Sequence, residues 1–353
     1  MKSIKNYILK SLGISSMNQQ LADCQDELRG IKKNLETLEN RLDDLEGRFE
    51  SYIHPAWDCN EFYKRIKLLQ HNRDEMKQRL TNLETVFFAE NRGLNKTDRN
   101  PRLIVSFTSF PARIGAVSAV FEQMLRQTVK PDEIVLWLSK EQFPRREEEL
   151  PKELLEYKKY GVKIEWCDGD IKAYKKFIPS LKKYSEDLIV IIDDDLIYPI
   201  DLLEKLYEAH KRFPESIIAS RVHEIAMDEN GKIARYRKWK KQIGEDVYQA
   251  RAEWFFTGGA GTLLPPHIFA EEIFNEQVIQ QLCPWADDIW LNIHAAMNHV
   301  PVVNIAANHK LARYEETQEV CLQDINQQQN DVQLKNLVMH YREQLVGTIY
   351  EKM

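Results

Sequence analysis

Apolar residues in the first 95 positions recur at a fixed rhythm. Leu28, Ile31, Leu35, Leu38, Leu42, Leu45, Phe49 and Tyr52 are spaced alternately three and four residues apart. The positions between them are mostly Glu, Asp, Lys, Arg and Asn. A seam of this kind, sustained over about four heptads, predicts a coiled-coil helix. Leu21 and Cys24 extend it backwards in phase. His54-Pro55 interrupts it, because proline lacks a helix donor and disfavours helix in the residue before it. A second run follows in the same spacing: Phe62, Ile66, Leu69, Met76, Leu80, Leu83 and Phe87, with Arg73 at one seam position. The two runs fold back as an antiparallel hairpin around Pro55, or both pair with other copies of the chain. The alternative is an amphipathic helix packed on a neighbouring domain, but such helices carry a wider apolar stripe. The seam therefore favours a homo-oligomer or a partner scaffold.

The rhythm changes after a polar stretch with Gly and Pro, Asn91 to Pro101, which reads as a linker. LIVSFTSF from Leu103, EIVLWLS from Glu133, VKIEWC from Val162 and LIVIIDDD from Leu188 are short, β-branched, strand-like runs. Helical stretches lie between them, among them Ala116 to Gln127 and Glu147 to Tyr160. Strands alternating with helices indicate an α/β domain with a mainly parallel sheet. The expected organisation is a helical coiled-coil arm over 1–95, a catalytic α/β domain over 96–322 and a helical tail over 323–353.

Composition narrows the class. At 43% hydrophobic and 29% charged residues, the chain of 353 residues is globular rather than disordered. Its net charge of −6 makes it a poor general binder of nucleic acid. No apolar run approaches the roughly 20 residues a membrane-spanning helix needs. The N-terminus lacks the continuous apolar core of a secretory signal. Ile4, Ile8, Leu9 and Leu12 with Lys2, Lys5 and Lys10 make either a frayed end or a short basic amphipathic helix capable of peripheral membrane contact. Cys24, Cys59, Cys167, Cys283 and Cys321 are scattered with no CxxC, which predicts neither a disulfide framework nor a zinc site. A reducing, cytoplasmic setting is the expectation.

The candidate chemistry lies at strand ends. The apolar run Leu188 to Ile192 suits a strand covered on both faces and stops at Asp193-Asp194-Asp195, followed by Tyr198-Pro199. Ligands of open α/β sheets bind beyond the carboxyl ends of the strands. Clustered carboxylates there call for a compensating cation, and hard oxygen donors suit Mg²⁺ or Mn²⁺ holding a diphosphate. Asp287-Asp288 in CPWADDIWLN sits between Trp285 and Trp290, where burial raises a carboxyl pKa and makes a general base. A capping aspartate at a helix start is the simpler account of that pair. Gly258-Gly259-Ala260-Gly261-Thr262 is either a tight turn or the floor of a substrate pocket, since it matches no phosphate-loop pattern. Lys175-Lys176, after Asp168 and Asp170, are either a solvated pair or cations for a diphosphate leaving group. Arg235 to Lys241, RYRKWKK, is basic with interleaved aromatics, a composition also found in nucleic-acid binders; in an acidic chain it reads as an exposed hairpin or a contact for an anionic acceptor.

In order and spacing, IVSFTSFPARI, RQTVKPDEIVLWLS, LIVIIDDDLIYPIDLLEKL, GGAGTLLPP and PWADDIWLN resemble the nucleotide-sugar glycosyltransferases of the GT-A fold, close to the family 2 type. The resemblance runs from about Pro101 to His309 and does not touch the arm. It implies a Rossmann-like GT-A domain that takes a nucleotide-sugar donor and a glycan acceptor. It places Asp193 and Asp195 at the Asp-x-Asp positions that hold a divalent cation, with Asp194 between them on the donor side. Asp288, with Asp287 beside it, stands where the family has its catalytic base. Thr108, Ser109 and Arg113 stand where the nucleotide sits, and Gly258, Gly259 and Trp285 on the acceptor side. His309 is either a third metal ligand or a surface histidine. The family's acidic pair after its second strand is replaced by Trp137-Leu138-Ser139, so Asp168 or Asp170 takes over that role. Lys175 or Lys176 stands near the family's usual Arg-Asn region. The competing readings are a metal-dependent nucleotidyltransferase and a scaffold with an inactive α/β domain. The missing glycine-rich loop after the first strand argues against the former, and the intact carboxylate set against the latter.

Overall fold

The computed structural model describes residues 29–31, 33–37, 39–41, 44, 67–73, 92–245, 247–307, 312–313 and 323–353. The chain divides into two compact units, Met1–Arg92 and Gly93–Met353. In the first unit the described residues are helical up to Arg73, and the seam residues Ile31, Leu35 and Leu69 among them are half-buried. Pro55, most of the seam and the N-terminal basic segment lie outside the described residues.

The second unit runs β1 (Leu103–Thr108), α1 (Val117–Leu125), β2 (Glu133–Ser139), α2 (Lys152–Leu155), β3 (Lys163–Cys167), α3 (Ile178–Lys183), β4 (Leu188–Ile191) and β5 (Leu196–Ile197). It continues with α4 (Leu202–Arg212), β6 (Ile217–Ala219), β7 (Val222–Glu224), β8 (Ala250–Arg251), β9 (Trp254–Phe256) and β10 (Thr262–Leu264). The last elements are α5 (Glu276–Leu282), α6 (Asp287–Met297), β11 (Val302–Asn304), β12 (Ala312–Arg313) and α7 (Gln323–His340). The main sheet has eight strands in the order β3-β2-β1-β4-β10-β6-β11-β8. β1 pairs in parallel with β2 and with β4, and β2 with β3. β10 lies antiparallel between β4 and β6. β7 and β9 form a separate antiparallel ribbon.

Strand β4 shows why its sequence is apolar without alternation. Ile189 and Ile191 enter one core, while Leu188, Val190 and Ile192 enter the other. The first core is closed by α6 and α7 through Ile289, Trp290, Ile293, Leu334 and Leu337, with Tyr341 just past the end of α7. The second is closed by α1 and α4 through Val120, Phe121, Leu203 and Leu206. The architecture is therefore an α/β layer structure around a mixed sheet whose β3–β4 half is parallel.

Two expectations change. The helix expected over Glu147 to Tyr160 is three short pieces: 3₁₀ turns at Arg146–Glu149 and Glu156–Tyr160 flank α2. Pro151 is the reason, because it pushes Leu150 into extended backbone and offers no N–H to the preceding turn. The C-terminal segment is also more than an appendage. Leu334, Leu337, Val338, Tyr341, Leu345 and Tyr350 are buried in the first core beside Trp290. Among the described residues, no helix is long and apolar enough to cross a membrane.

Candidate active site

The parallel pairing of β1 and β4 brings their carboxyl ends to one edge of the sheet, Ser106 opposite Ile191. Past that edge the chain turns at Asp193–Asp195. Asp194 is buried; it accepts from Ser109 Oγ at 2.5 Å and pairs with Arg113 Nη1 at 3.0 Å. Arg113 also reaches Asp195 Oδ2 at 3.2 Å. Burial pushes the Asp194 pKa up to about 6, with the Ser109 hydrogen bond and Arg113 holding it back. The guanidinium resists its own desolvation because Asp194 and Asp195 outweigh it. Asp194 thus braces the turn, and Asp193 and Asp195 flank it.

The second acidic pair meets the first through a buried cation. Lys176 is fully enclosed, and its Nζ lies 2.8 Å from Asp193 Oδ1 and 2.8 Å from Asp287 Oδ2. Burial opposes its charge, but Asp193, Asp287 and Asp288 raise its pKa well above that of a free lysine. Asp287 and Asp288 open α6, where the helix dipole favours negative charge. Asp288 Oδ1 accepts from the Gly258 amide at 2.8 Å. Part of its surface stays open to solvent. Burial of the carboxylate and the charge of Asp287 push its pKa up to about 7, with Lys176 and the Gly258 hydrogen bond pulling the other way.

The glycines are required by close approach. A β-carbon on Gly259 would lie 1.7 Å from Asp193 Oδ2, and one on Gly258 would lie 2.7 Å from Ile191 Cδ1. Gly261 adopts φ +102°, a region side chains rarely enter. The run Gly258–Gly261 therefore seats the Asp193 carboxylate and delivers the Gly258 amide to Asp288.

Two residues that hold this constellation were not visible as site residues in the sequence. The Tyr198 hydroxyl accepts from the Asp193 amide at 2.8 Å and donates to the Gly259 carbonyl at 2.6 Å, tying the acidic turn to the glycine run. Buried Asn292 accepts from the Phe256 amide at 3.1 Å, and its Nδ2 donates to the Phe256 carbonyl at 2.8 Å and the Asp288 carbonyl at 2.7 Å. It locks the first turn of α6 to β9.

Other residues singled out in the sequence lie apart from this centre or serve other bonds. The Thr108 hydroxyl donates to the Trp137 carbonyl at 2.8 Å, joining β1 to β2. The lysine pair divides: Lys175 is buried against Asp170 and Gln142, with Gln142 Oε1 at 3.2 Å. Asp168 is an exposed side chain paired with Lys140 at 2.8 Å. Trp285 carries Lys172 Nζ over its ring at 3.8 Å. His309 lies outside the described residues.

The donor set can be weighed against a divalent cation. Among the described residues, no group of three or more His, Cys, Asp and Glu is arranged around a common metal position. Asp193 and Asp287 pair with Lys176, and Asp194 and Asp195 with Arg113, so four carboxylates share two cations, with Asp288 beside them. Asp193 keeps 40% of its side chain exposed. An excess of hard, partly open carboxylate fits Mg²⁺ or Mn²⁺, which commonly takes one or two protein carboxylates and the rest of its shell from phosphate and water.

No family model matches the chain, and no curated protein matches it. Among solved structures it is similar to the 1–349 fragment of S. aureus TarS, at 12% identity over 68% of this chain and 72% of that one, with a TM-score of 0.35. It is also similar to UDP-glucose pyrophosphorylase from Acinetobacter baumannii, at 10% identity over 72% of this chain and 97% of that one, with a TM-score of 0.35. At such values the functional reading rests on the geometry of the site.

Proposed function

We propose that the protein is a GT-A-type glycosyltransferase that moves a sugar from a nucleoside-diphosphate donor to a hydroxyl of a glycan acceptor, with inversion, in polysaccharide assembly. The observation that carries this reading is the placement of Lys176 Nζ 2.8 Å from both Asp193 and Asp287, with Asp288 next in the helix. One enclosed cation joins a diphosphate-side carboxylate to the base-side pair.

The residues then divide the work. Asp288, with a pKa of about 7, accepts the proton of the acceptor hydroxyl as that oxygen attacks the anomeric carbon. The Gly258 amide fixes the Asp288 carboxylate in that orientation. Lys176 and Arg113 supply positive charge near the departing diphosphate. Asp193 and Asp195 are the residues that would hold a divalent cation, whose chemistry is to neutralise charge building on the leaving group. Holding donor and acceptor at attack distance supplies much of the remaining rate. The N-terminal seam is proposed to join copies of the enzyme in the cytoplasm, with its basic first residues in peripheral contact with the membrane.

A donor screen tests this without an acceptor. Slow hydrolysis of one nucleotide sugar is expected, with a rise in melting temperature on adding that donor and Mn²⁺, lost on chelation. No hydrolysis and no melting shift across uridine-, guanosine-, cytidine- and thymidine-diphosphate sugars would overturn it.

A further inference from the structure

The basic stretch Arg235–Lys241 carries Arg235, Arg237, Lys238, Lys240 and Lys241 in seven positions with no acidic residue. It is a fixed piece of structure. The Glu224 amide donates to the Lys240 carbonyl at 2.8 Å, so the stretch returns antiparallel along β7. Trp239 is buried, and its Nε1 donates to the Ala234 carbonyl at 2.9 Å. The Tyr236 amide donates to Asp331 Oδ1 at 2.7 Å, anchoring the segment on α7. Arg235, Arg237, Lys238, Lys240 and Lys241 are exposed. Lys240 pairs with Glu245; among the described residues Arg235, Arg237, Lys238 and Lys241 make no ion pair.

The location decides what this charge is for. Strand β7 begins beside Arg221, and β9 ends beside Thr257; the Thr257 amide donates to the Arg221 carbonyl at 3.2 Å. Arg221 Nη1 lies 3.5 Å from Thr257 Oγ1. The next residue, Gly258, is the one whose amide holds Asp288. Tyr236 packs on Phe255 at 5.7 Å and carries Lys241 Nζ over its ring at 4.9 Å. The ribbon thus runs from exposed cations to Asp288. Arg221 thus sits one residue from the Gly258 amide that holds Asp288, and Lys241 sits over Tyr236 on the same ribbon. Electrostatic coupling agrees: burial first, and then the Asp288 charge, raises the Tyr236 phenol pKa, and burial with Arg221 lowers that of Lys241.

We propose that the Arg235–Lys241 stretch, with Arg221 and Tyr236, lines an acceptor groove and that the acceptor is a polyanionic glycan, with phosphodiester or carboxylate groups spaced along the chain that carries the attacking hydroxyl. This deepens the transferase reading and rests on it. Cations along the ribbon that leads to Asp288 hold an acceptor whose own charge would otherwise be repelled by the aspartates. Five cations in seven residues match a repeating anion better than a single phosphate. A nucleic acid or an anionic membrane would meet the same charge, but neither supplies a reason for the ribbon to lead to Asp288.

The test uses the full chain and a charge-neutralised variant, Arg237→Gln, Lys238→Gln and Lys241→Gln, whose sites are exposed. Labelled glycerol-phosphate oligomers, polygalacturonate oligomers and neutral dextran are titrated by anisotropy over a salt series, beside a poly-dT strand and phosphatidylglycerol vesicles. The two anionic glycans are expected to bind and dextran not to. Affinity should fall about tenfold in the variant, and the slope of log affinity against log salt by about 2. A charge-preserving variant, Arg237→Lys, Lys238→Arg and Lys241→Arg, should restore both. Whichever anionic glycan binds more tightly separates phosphodiester from carboxylate. Equal affinity of the unaltered protein and the neutralised variant for both anionic glycans overturns the proposal, as does tighter binding of poly-dT or vesicles than of either. Because binding is read without turnover, a failed donor screen overturns the transferase reading while leaving the anion preference measurable.

Discussion

Gly259 and Asp193 occupy one space: a β-carbon at position 259 would fall 1.7 Å from the Asp193 carboxylate. Gly259→Ala must therefore push Asp193 away from Lys176 Nζ, 2.8 Å distant. Crowding of this kind costs roughly 1–3 kcal/mol. The expected result is a modest drop in melting temperature with a large loss of donor-induced stabilisation. Gly115→Ala, where an added carbon meets nothing within 4 Å, is the control. If Gly259→Ala retains the full donor shift, Asp193 has no part in binding.

Lys176 tests the charge balance. Its side chain is 3% exposed and counters Asp193 and Asp287 directly. Lys176→Met leaves the enclosed Asp287 carboxylate without its cation, a defect of about 3–5 kcal/mol when one partner of a buried pair is removed, while the half-open Asp193 falls back on solvent. Because the aspartates raise its pKa, this stabilisation is present below the lysine's unfolded pKa and lost only as the pH climbs through its raised folded value. Urea melts at neutral pH should thus show the whole effect, and lowering the pH towards 5 should shrink the difference as Asp288, with a pKa of about 7, takes up a proton. A variant as stable as the original protein at pH 7.5 would mean these carboxylates are neutral there.

Asp288 sets the expected pH profile of transfer. A base with a pKa of about 7 is lost by protonation on the acid side. The rate should rise with pH below 7, approaching tenfold per unit, and level above it. Asp288→Asn should cost about 10²–10⁴-fold in transfer, the usual contribution of a positioned base. The donor melting shift should survive in this variant. A pH-independent rate between 5 and 8 with turnover intact would remove Asp288 from the base role.

What the sequence made legible follows from physical range. The end of β4 in three carboxylates, and the aspartates opening α6, are local patterns in LIVIIDDD and WADDIWLN. Their union is not local, since Lys176 lies 17 residues from Asp193 and could have faced either way beside its neighbour Lys175. Tyr198 and Asn292 act by satisfying backbone groups 61 and 36 residues away, and no spacing rule marks such a partner. The C-terminal helix opens on glutamine and asparagine, so its start reads as solvated; Leu334, Leu337 and Tyr341 are buried in a core assembled from distant segments, where Tyr341 meets Trp290.

Asn292 provides the clearest separation of support from chemistry. It touches none of the groups proposed to react, yet three of its hydrogen bonds join β9 to the helix turn that carries Asp288. Asn292→Ala leaves the Phe256 amide and carbonyl without this partner inside the protein. Stranding buried polar groups costs about 1–3 kcal/mol. Denaturant unfolding should register that loss. Transfer should fall with it, through kcat more than through the donor KM, because the donor-side contacts of Asp193 and Arg113 remain while Asp288 loses its fixed position. Asn292→Asp, which keeps the acceptor oxygen for the Phe256 amide but not the donated bonds, should recover only part of the stability. If Asn292→Ala changes stability and leaves kcat untouched, then the Gly258 amide alone is enough to orient Asp288.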